Sequence, residues 1–478
     1  MTISKPFVQK GGINPDFSAS PGEFAHPVHG WPKWEWFSVV AILCVYLAVQ
    51  VNNIFNTAFF GQDFSFHAFC TDQVHLNPGR WFQLDPTNRP MVYWVGAVCG
   101  WFMSGPRLYA LAAAIWVSLS AFALFLLYLT MQTFVKSTTI RVAALVFITF
   151  LPLTIITSVV YSADTAAFFP FAAFLFSLSR CFSDTRSPRI YAYGGLAGAA
   201  LCIGLLSKAT FMFLPAGVVV LIFVYWRCGR LTLRPMIALA AGCILLPLAL
   251  AVLLQLKGEQ ELAGSPPRHA FNWKGTGEMT WRTLLFPRLS DVRIFDAPGY
   301  WEERMENGKN VHPLLVENDY TYPALFTLGA FTDVLDYANH GCLDDGAPRP
   351  ESHQRAAKMA VLSGFGFLLL IAVGLGIALY RLFRAVWERQ SNLIGPAIPL
   401  VLSTTWFVPI MLTLPFVHNV YAWGYWLPRL VAPAVWGFSL SAYSVLDSLL
   451  AHRSRRLHVY VLLVVLVQAA IHIYGVWY

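Results

Sequence analysis

The amino-acid sequence predicts an all-α polytopic integral membrane protein with about eleven transmembrane helices. Three observations predict this. Hydrophobic residues fill 57% of the 478 positions and charged residues only 12%, where a soluble domain carries about a quarter charged. The apolar residues gather in stretches close to the roughly 20 residues that a bilayer-crossing helix needs. Basic residues recur in alternate short connections, as the positive-inside rule requires. Backbone groups facing lipid find no water to bond, so the spans are read as helices.

The predicted spans run over 36–51, 108–131, 142–161, 166–178, 191–206, 211–226, 236–256, 359–380, 398–417, 430–445 and 459–477. Ahead of them, residues 1–32 are polar and rich in Pro and Gly. They lack an apolar core and are not read as a cleaved signal peptide. Lys5, Lys10 and Lys33 precede the first span and place the N-terminus in the cytoplasm. The inner connections then carry Lys136 and Arg141; Arg180, Arg186 and Arg189; Arg227, Arg230 and Arg234; Arg381, Arg384 and Arg389; and Arg453, Arg455 and Arg456. The net charge of +8 is therefore a topology signal and no sign of a nucleic-acid partner. An odd number of spans leaves Tyr478 outside.

Two outer segments interrupt the run of helices. In the first, 52–106, the stretch 90–105 is apolar but short, and is predicted as a helix at the membrane interface. The second, 257–358, is polar and holds Trp273, Trp281, Tyr300, Trp301, Tyr320 and Tyr322. A loop of that length is usually functional or folded, and short helices over the membrane mouth are expected. The chain thus divides into a cytoplasmic tail (1–35), a transmembrane module (36–256), an outer loop region (257–358) and C-terminal helices (359–478). The eight cysteines show no ligand-like spacing, and no metal motif is evident. Cys70 and Cys342 are both predicted outside, either as a disulfide or as thiols.

The ionisable residues beyond the inner connections and the long loop are Asp63, Asp72, Arg80, Asp85, Arg89, Arg107, Asp164, Lys208 and Arg429. All map to the outer side, with almost none at mid-bilayer, where transporters place substrate sites. Both signs gathered at one face suit a lipid headgroup whose tail stays in the membrane. Taken singly each has an ordinary role. A loop aspartate is usually solvated, and a Lys or Arg at a span end is usually an interfacial anchor. His418 reads first as an interfacial histidine, and His67, His75 and His269 have no partner spacing.

The segments GQDFSFH (61–67), NRPMVYW (88–94), YSADTAAFFPFAAF (161–174), LLSKATFMFLP (205–215) and YWLPRLVAP (425–433) occur in one order on one predicted side. In this the chain resembles the GT-C superfamily of polyprenyl-phosphate-sugar-dependent glycosyltransferases, closest to the protein O-mannosyltransferase and aminoarabinose transferase branch. The resemblance covers the first half well and the end loosely. It implies a GT-C-like fold with Asp63 as catalytic base and Asp164 as a second acid. Lys208, Arg429 and Arg89 become contacts for the donor phosphate, with His418, Tyr93 and Tyr161 lining the site. The implied partners are a polyprenyl-phosphate-linked sugar, membrane lipids, and a glycan, lipid or protein acceptor. The implied place is a bacterial inner membrane with the site extracytoplasmic. No cofactor is assigned, and a divalent metal stays open. Two departures stand out: Asp63 is followed by Phe64 where the family often has a second acid, and no soluble domain follows the last span.

The chemistry suits these residue types independently. A polyprenyl phosphate leaves without protonation, so one carboxylate base suffices for an inverting transfer to a hydroxyl. Two other readings remain beside this one. A non-catalytic GT-C-like scaffold would bind a glycan or partner, and a flippase of lipid-linked glycans would need a polar path through the membrane.

Overall fold

A computed structural model of the chain describes residues 32–56, 64–77, 90–183, 189–231, 233–262, 330, 351–390, 393–417 and 427–476. Among them the regular structure is entirely helical. Helix α1 (Lys33–Asn56) is the first predicted span. α2 (Phe64–Leu76) and α3 (Met91–Gly100) belong to the first outer segment, and α3 is the short apolar helix predicted there. α4 (Pro106–Phe134) begins on a proline, whose missing N–H costs nothing at a helix start. Gly105 before it has φ 59°, a conformation that side chains resist.

The third predicted span is two helices. α5 (Thr138–Thr149) and α6 (Pro152–Val159) meet at 52°. Pro152 has no N–H to continue α5, and its ring clashes with the preceding turn. Distant helices bond to residues on both sides of the break. His472 Nδ1 lies 3.0 Å from the Phe150 carbonyl, and Trp436 Nε1 donates to Thr154 Oγ1 at 2.9 Å. Every residue of α6 is buried, including Thr154, Thr157 and Ser158, so this half-span is interior. On its other side Gln50 of α1 donates to the Ile155 carbonyl at 2.9 Å and to Ser158 Oγ at 2.8 Å.

α7 (Phe168–Ser183) packs against α4 and α8 (Arg189–Ser207), and α9 (Leu214–Arg227) follows. The seventh predicted span is α10 (Leu233–Ala240), a π turn (Ala241–Leu245) and α11 (Leu246–Leu262). A Cβ on Gly198 of α8 would overlap the Gly242 carbonyl oxygen, so glycine lets these two backbones touch. α12 (Glu351–Glu388) is 38 residues, about 57 Å at 1.5 Å per residue, and overshoots a hydrocarbon core of roughly 30 Å. α13 (Ala397–Val417), α14 (Leu427–Leu450) and α15 (Arg455–Val476) complete the bundle.

Eight helices are long and apolar enough to cross a bilayer, or nine with the bent pair counted as one span. The other two predicted spans, 236–256 and 398–417, contain shorter apolar helices, Ala241–Leu253 and Ala397–Leu412. Among the described residues, length and composition thus support eight or nine of the expected eleven spans and do not confirm the full count. Large apolar side chains face outward, such as Val219 and Phe223 on α9 and Leu370 and Val373 on α12. Polar ones such as Gln50 and Asn53 face inward. That inversion of the soluble pattern identifies an integral membrane protein.

The end predicted to face the cytoplasm corrects one expectation. Arg141, expected as a loop charge, lies in α5 and pairs with Glu35 of α1, which is only 1% exposed. Arg141 Nε and Nη2 donate to Glu35 Oε1 at 3.0 and 2.6 Å. Its Nη1 donates to the Val135 and Lys136 carbonyls at 2.9 and 2.8 Å. The Tyr128 hydroxyl also donates to Glu35. Asp447 of α14 caps the same connection, accepting the Lys136 and Ser137 N–H groups at 2.7 and 3.1 Å. Four helices are tied at one point, and Glu35 is part of α1 rather than the end of a free tail.

Candidate active site

The turn after α6 is folded by its own side chains. Val160 leaves the helix in an extended conformation, and the Thr165 hydroxyl bonds back to the Thr157 and Val160 carbonyls. This closes residues 160–165 into a compact, buried loop that leads through a 3-10 turn (Thr165–Ala167) into α7. Asp164 sits at the start of that turn and is buried.

Lys208 arrives from another element. α8 ends at Ser207, and Lys208 takes an extended backbone (φ −153°, ψ 135°) before a 3-10 turn over Ala209–Phe213. Its Nζ donates to Asp164 Oδ1 and lies 3.4 Å from the Leu430 carbonyl. The side chains of the pair are only 10% and 7% exposed. The same carbonyl accepts Trp406 Nε1 at 3.1 Å. Leu430 follows Arg429 in the first turn of α14, so three predicted polar segments meet here: the Asp164 turn, the Lys208 turn and the start of α14.

An aromatic wall holds the pair. The Phe211 ring meets Trp406 edge-on at 4.8 Å, and Phe171 meets it edge-on at 5.5 Å. A Cβ on Gly204 would run into the Phe211 ring, so glycine leaves the room that ring occupies. Each charge thus has its partner and a rigid support before any substrate arrives. The carboxylate and the carbonyl together satisfy the buried ammonium.

Tyr93 and Tyr161, expected to line the site, are buried with their hydroxyls engaged. The Tyr93 hydroxyl is 3.0 Å from His67 Nδ1. The Tyr161 hydroxyl donates to the Val92 carbonyl at 3.0 Å and is 2.8 Å from the Thr71 hydroxyl. Asp63, Arg89 and His418, together with the Arg429 side chain, lie outside the described residues, as do Cys342 and nearly all of the long outer loop. Cys70 is buried in α2. Among the described residues no three His, Cys, Asp or Glu side chains gather. The sequence missed His67, Thr71 and Trp406. Each sits in an apolar or ordinary context, and no local signal marks its partner.

No family model and no curated protein sequence matches this chain. Solved structures do. The archaeal oligosaccharyltransferase AglB from Archaeoglobus fulgidus, in complex with an inhibitory peptide and a dolichol-phosphate, is similar over 94% of this chain. The identity is 14%, the TM-score is 0.51 and 56% of that chain is covered. The Saccharomyces cerevisiae protein O-mannosyltransferase Pmt1–Pmt2 complex bound to the sugar donor matches 49% of this chain and 35% of its own. It is 16% identical, with a TM-score of 0.41. ArnT from Cupriavidus metallidurans bound to undecaprenyl phosphate covers 89% and 79%, at 12% identity and a TM-score of 0.38. This chain spans about a third to a half of the first two, 35% and 56% of their lengths. At this identity the likeness to the archaeal oligosaccharyltransferase shows a shared fold.

Proposed function

We propose that this protein is a membrane glycosyltransferase that moves a sugar from a polyprenyl-phosphate donor to an acceptor hydroxyl at the outer membrane face. One observation carries the reading: on a GT-C fold, Lys208 is buried against Asp164 and the start of α14. Lys208, with Arg429 and Arg89 supplied by neighbouring segments, stabilises the charge that grows on the departing phosphate. Asp164 aims the lysine. Asp63 takes the proton of the acceptor hydroxyl as its oxygen attacks the anomeric carbon. The bond from that carbon to the phosphate oxygen breaks, the electron pair leaves with the phosphate, and the configuration inverts. The transition state has oxocarbenium character, as in glycoside hydrolysis. A lipid-borne donor explains a charged site placed at the end of apolar helices. The residue pattern and the basic inner connections favour a bacterial inner membrane with an outward-facing site.

The test is transfer from a polyprenyl-phosphate sugar in nanodiscs, with donor binding measured in parallel. Asp63→Asn keeps side-chain size and should lower turnover by about 10²–10⁴-fold while donor binding persists. Near-normal turnover in Asp63→Asn would remove Asp63 as the base and leave Asp164 the leading candidate. Donor binding without transfer by the native chain would point to a scaffold.

A further inference from the structure

Trp406 of α13 is fully buried and reaches every segment that meets at the Asp164–Lys208 pair. Its Nε1 donates to the Leu430 carbonyl at 3.1 Å, the same oxygen that Lys208 Nζ reaches at 3.4 Å. Its ring meets Phe211, whose N–H donates to the Lys208 carbonyl at 3.2 Å. It also meets Phe171, in the first turn of the helix that follows the Asp164 turn. The backbone beneath Trp406 has little room to shift, because α13 is pressed between two neighbours. A Cβ on Gly217 of α9 would stand 2.7 Å from Thr405 Oγ1, and one on Gly437 of α14 would overlap Ser403 Oγ.

The carbonyl that Trp406 holds lies in a weakened turn. Pro433, inside α14, has no N–H to give the Arg429 carbonyl four residues back, and its ring crowds that oxygen. The first turn of α14 therefore lacks one of its own bonds, and a donor from outside fixes it more than it would a regular helix. A buried indole N–H needs an acceptor, and here it takes the one oxygen that also faces the ammonium. We propose that Trp406 is a positioning residue for Lys208: its indole N–H holds the Leu430 carbonyl against the ammonium and thereby fixes where Lys208 can meet the donor phosphate. The role rests on Lys208 being a phosphate contact, whereas the hold on the carbonyl does not.

Replacing Trp406 with benzothienylalanine keeps the bicyclic ring and puts sulfur in place of the N–H. Amide exchange over residues 430–436 should then speed up, because the opened turn has lost its outside donor. Binding is measured with a polyprenyl phosphate at rising mole fraction in nanodiscs, so that weak affinities stay readable. The replacement should lower that affinity about fivefold, roughly what one hydrogen bond contributes. The same replacement is then made in Lys208→Met with Asp164→Leu, where the pair is absent. There it should change the affinity by less than about 1.5-fold, because Trp406 acts through Lys208. An equal loss in both backgrounds would make Trp406 a packing residue and overturn the proposal. Unchanged exchange over residues 430–436 would overturn the hold on the carbonyl, whether or not a phosphate binds. Faster exchange with unchanged affinity in the chain that keeps the pair would uphold the hold and overturn the positioning role. A native chain with no affinity for a polyprenyl phosphate would sink the donor reading and this role with it, while the exchange result still decides the hold.

Discussion

Lys208 and Asp164 illustrate how a buried charge depends on its partner. Replacing one member strands the other in a low-dielectric interior, which typically costs about 3–5 kcal/mol, whereas replacing both with apolar residues is often neutral. Lys208→Ala should therefore unfold at clearly lower temperature than the native chain. Lys208→Met combined with Asp164→Leu should recover most of that loss in a thermal melt yet remain inactive. If the double variant is as unstable as Lys208→Ala, the pair is not the energetic unit that its geometry describes. Arg141 invites a parallel experiment far from the site. Its guanidinium serves Glu35 and two carbonyls at once, a fork that an ammonium cannot copy. Arg141→Ala should lose about 3–5 kcal/mol and Arg141→Lys should also be destabilised. Arg453→Ala, at an exposed position, should stay within about 0.5 kcal/mol. Equal effects at Arg141 and Arg453 would make Arg141 a simple topology charge.

Among the elements, the bent third span and the break after α8 do most to build the site. Both break a regular helix beside a polar group, and both are held by aromatic residues from α13 and α14. Trp436 bonds Thr154 and stacks on Phe168 at 4.3 Å, gripping both sides of the Asp164 turn. Phe211, wedged between Gly204 and Trp406, does the same for Lys208. Gly204→Ala should push the Phe211 ring aside at an overpacking cost of about 1–3 kcal/mol, read as a lowered Tm. Transfer should fall further than the lost stability explains, because the 3-10 turn after Lys208 must shift. A variant with unchanged Tm would mean that Phe211 has another place to go.

At the scale of the whole molecule, basic connections at one end and the candidate site at the other define a sided protein. Arg355 opens α12 beyond the apolar stretch, and Arg453 lies in the connection between α14 and α15. A cysteine at Arg355 should be labelled by an impermeant reagent in intact cells. One at Arg453 should be labelled only after permeabilisation. The same accessibility for both would dismantle the sidedness on which the donor, the acceptor and the site model rest.

Membership of the membrane class and the order of the apolar segments were legible in the sequence. Lipid acts as a uniform solvent, so its demands appear locally as apolar length, basic flanks and polar turns. The stretch 142–161 read as one span, and the bend between α5 and α6 at Pro152 came only with the structure. Partners were not legible at all. Asp164 and Lys208 are 44 residues apart, Glu35 and Arg141 are 106 apart, and Asp447 and Lys136 are 311 apart. Tyr161 was expected to line the site, yet its hydroxyl is spent on Thr71 and Val92. Tertiary structure alone decided these pairings. A charge or hydroxyl taken out of water must find its complement wherever the packed helices deliver one, and that meeting point is a property of the bundle rather than of any local stretch.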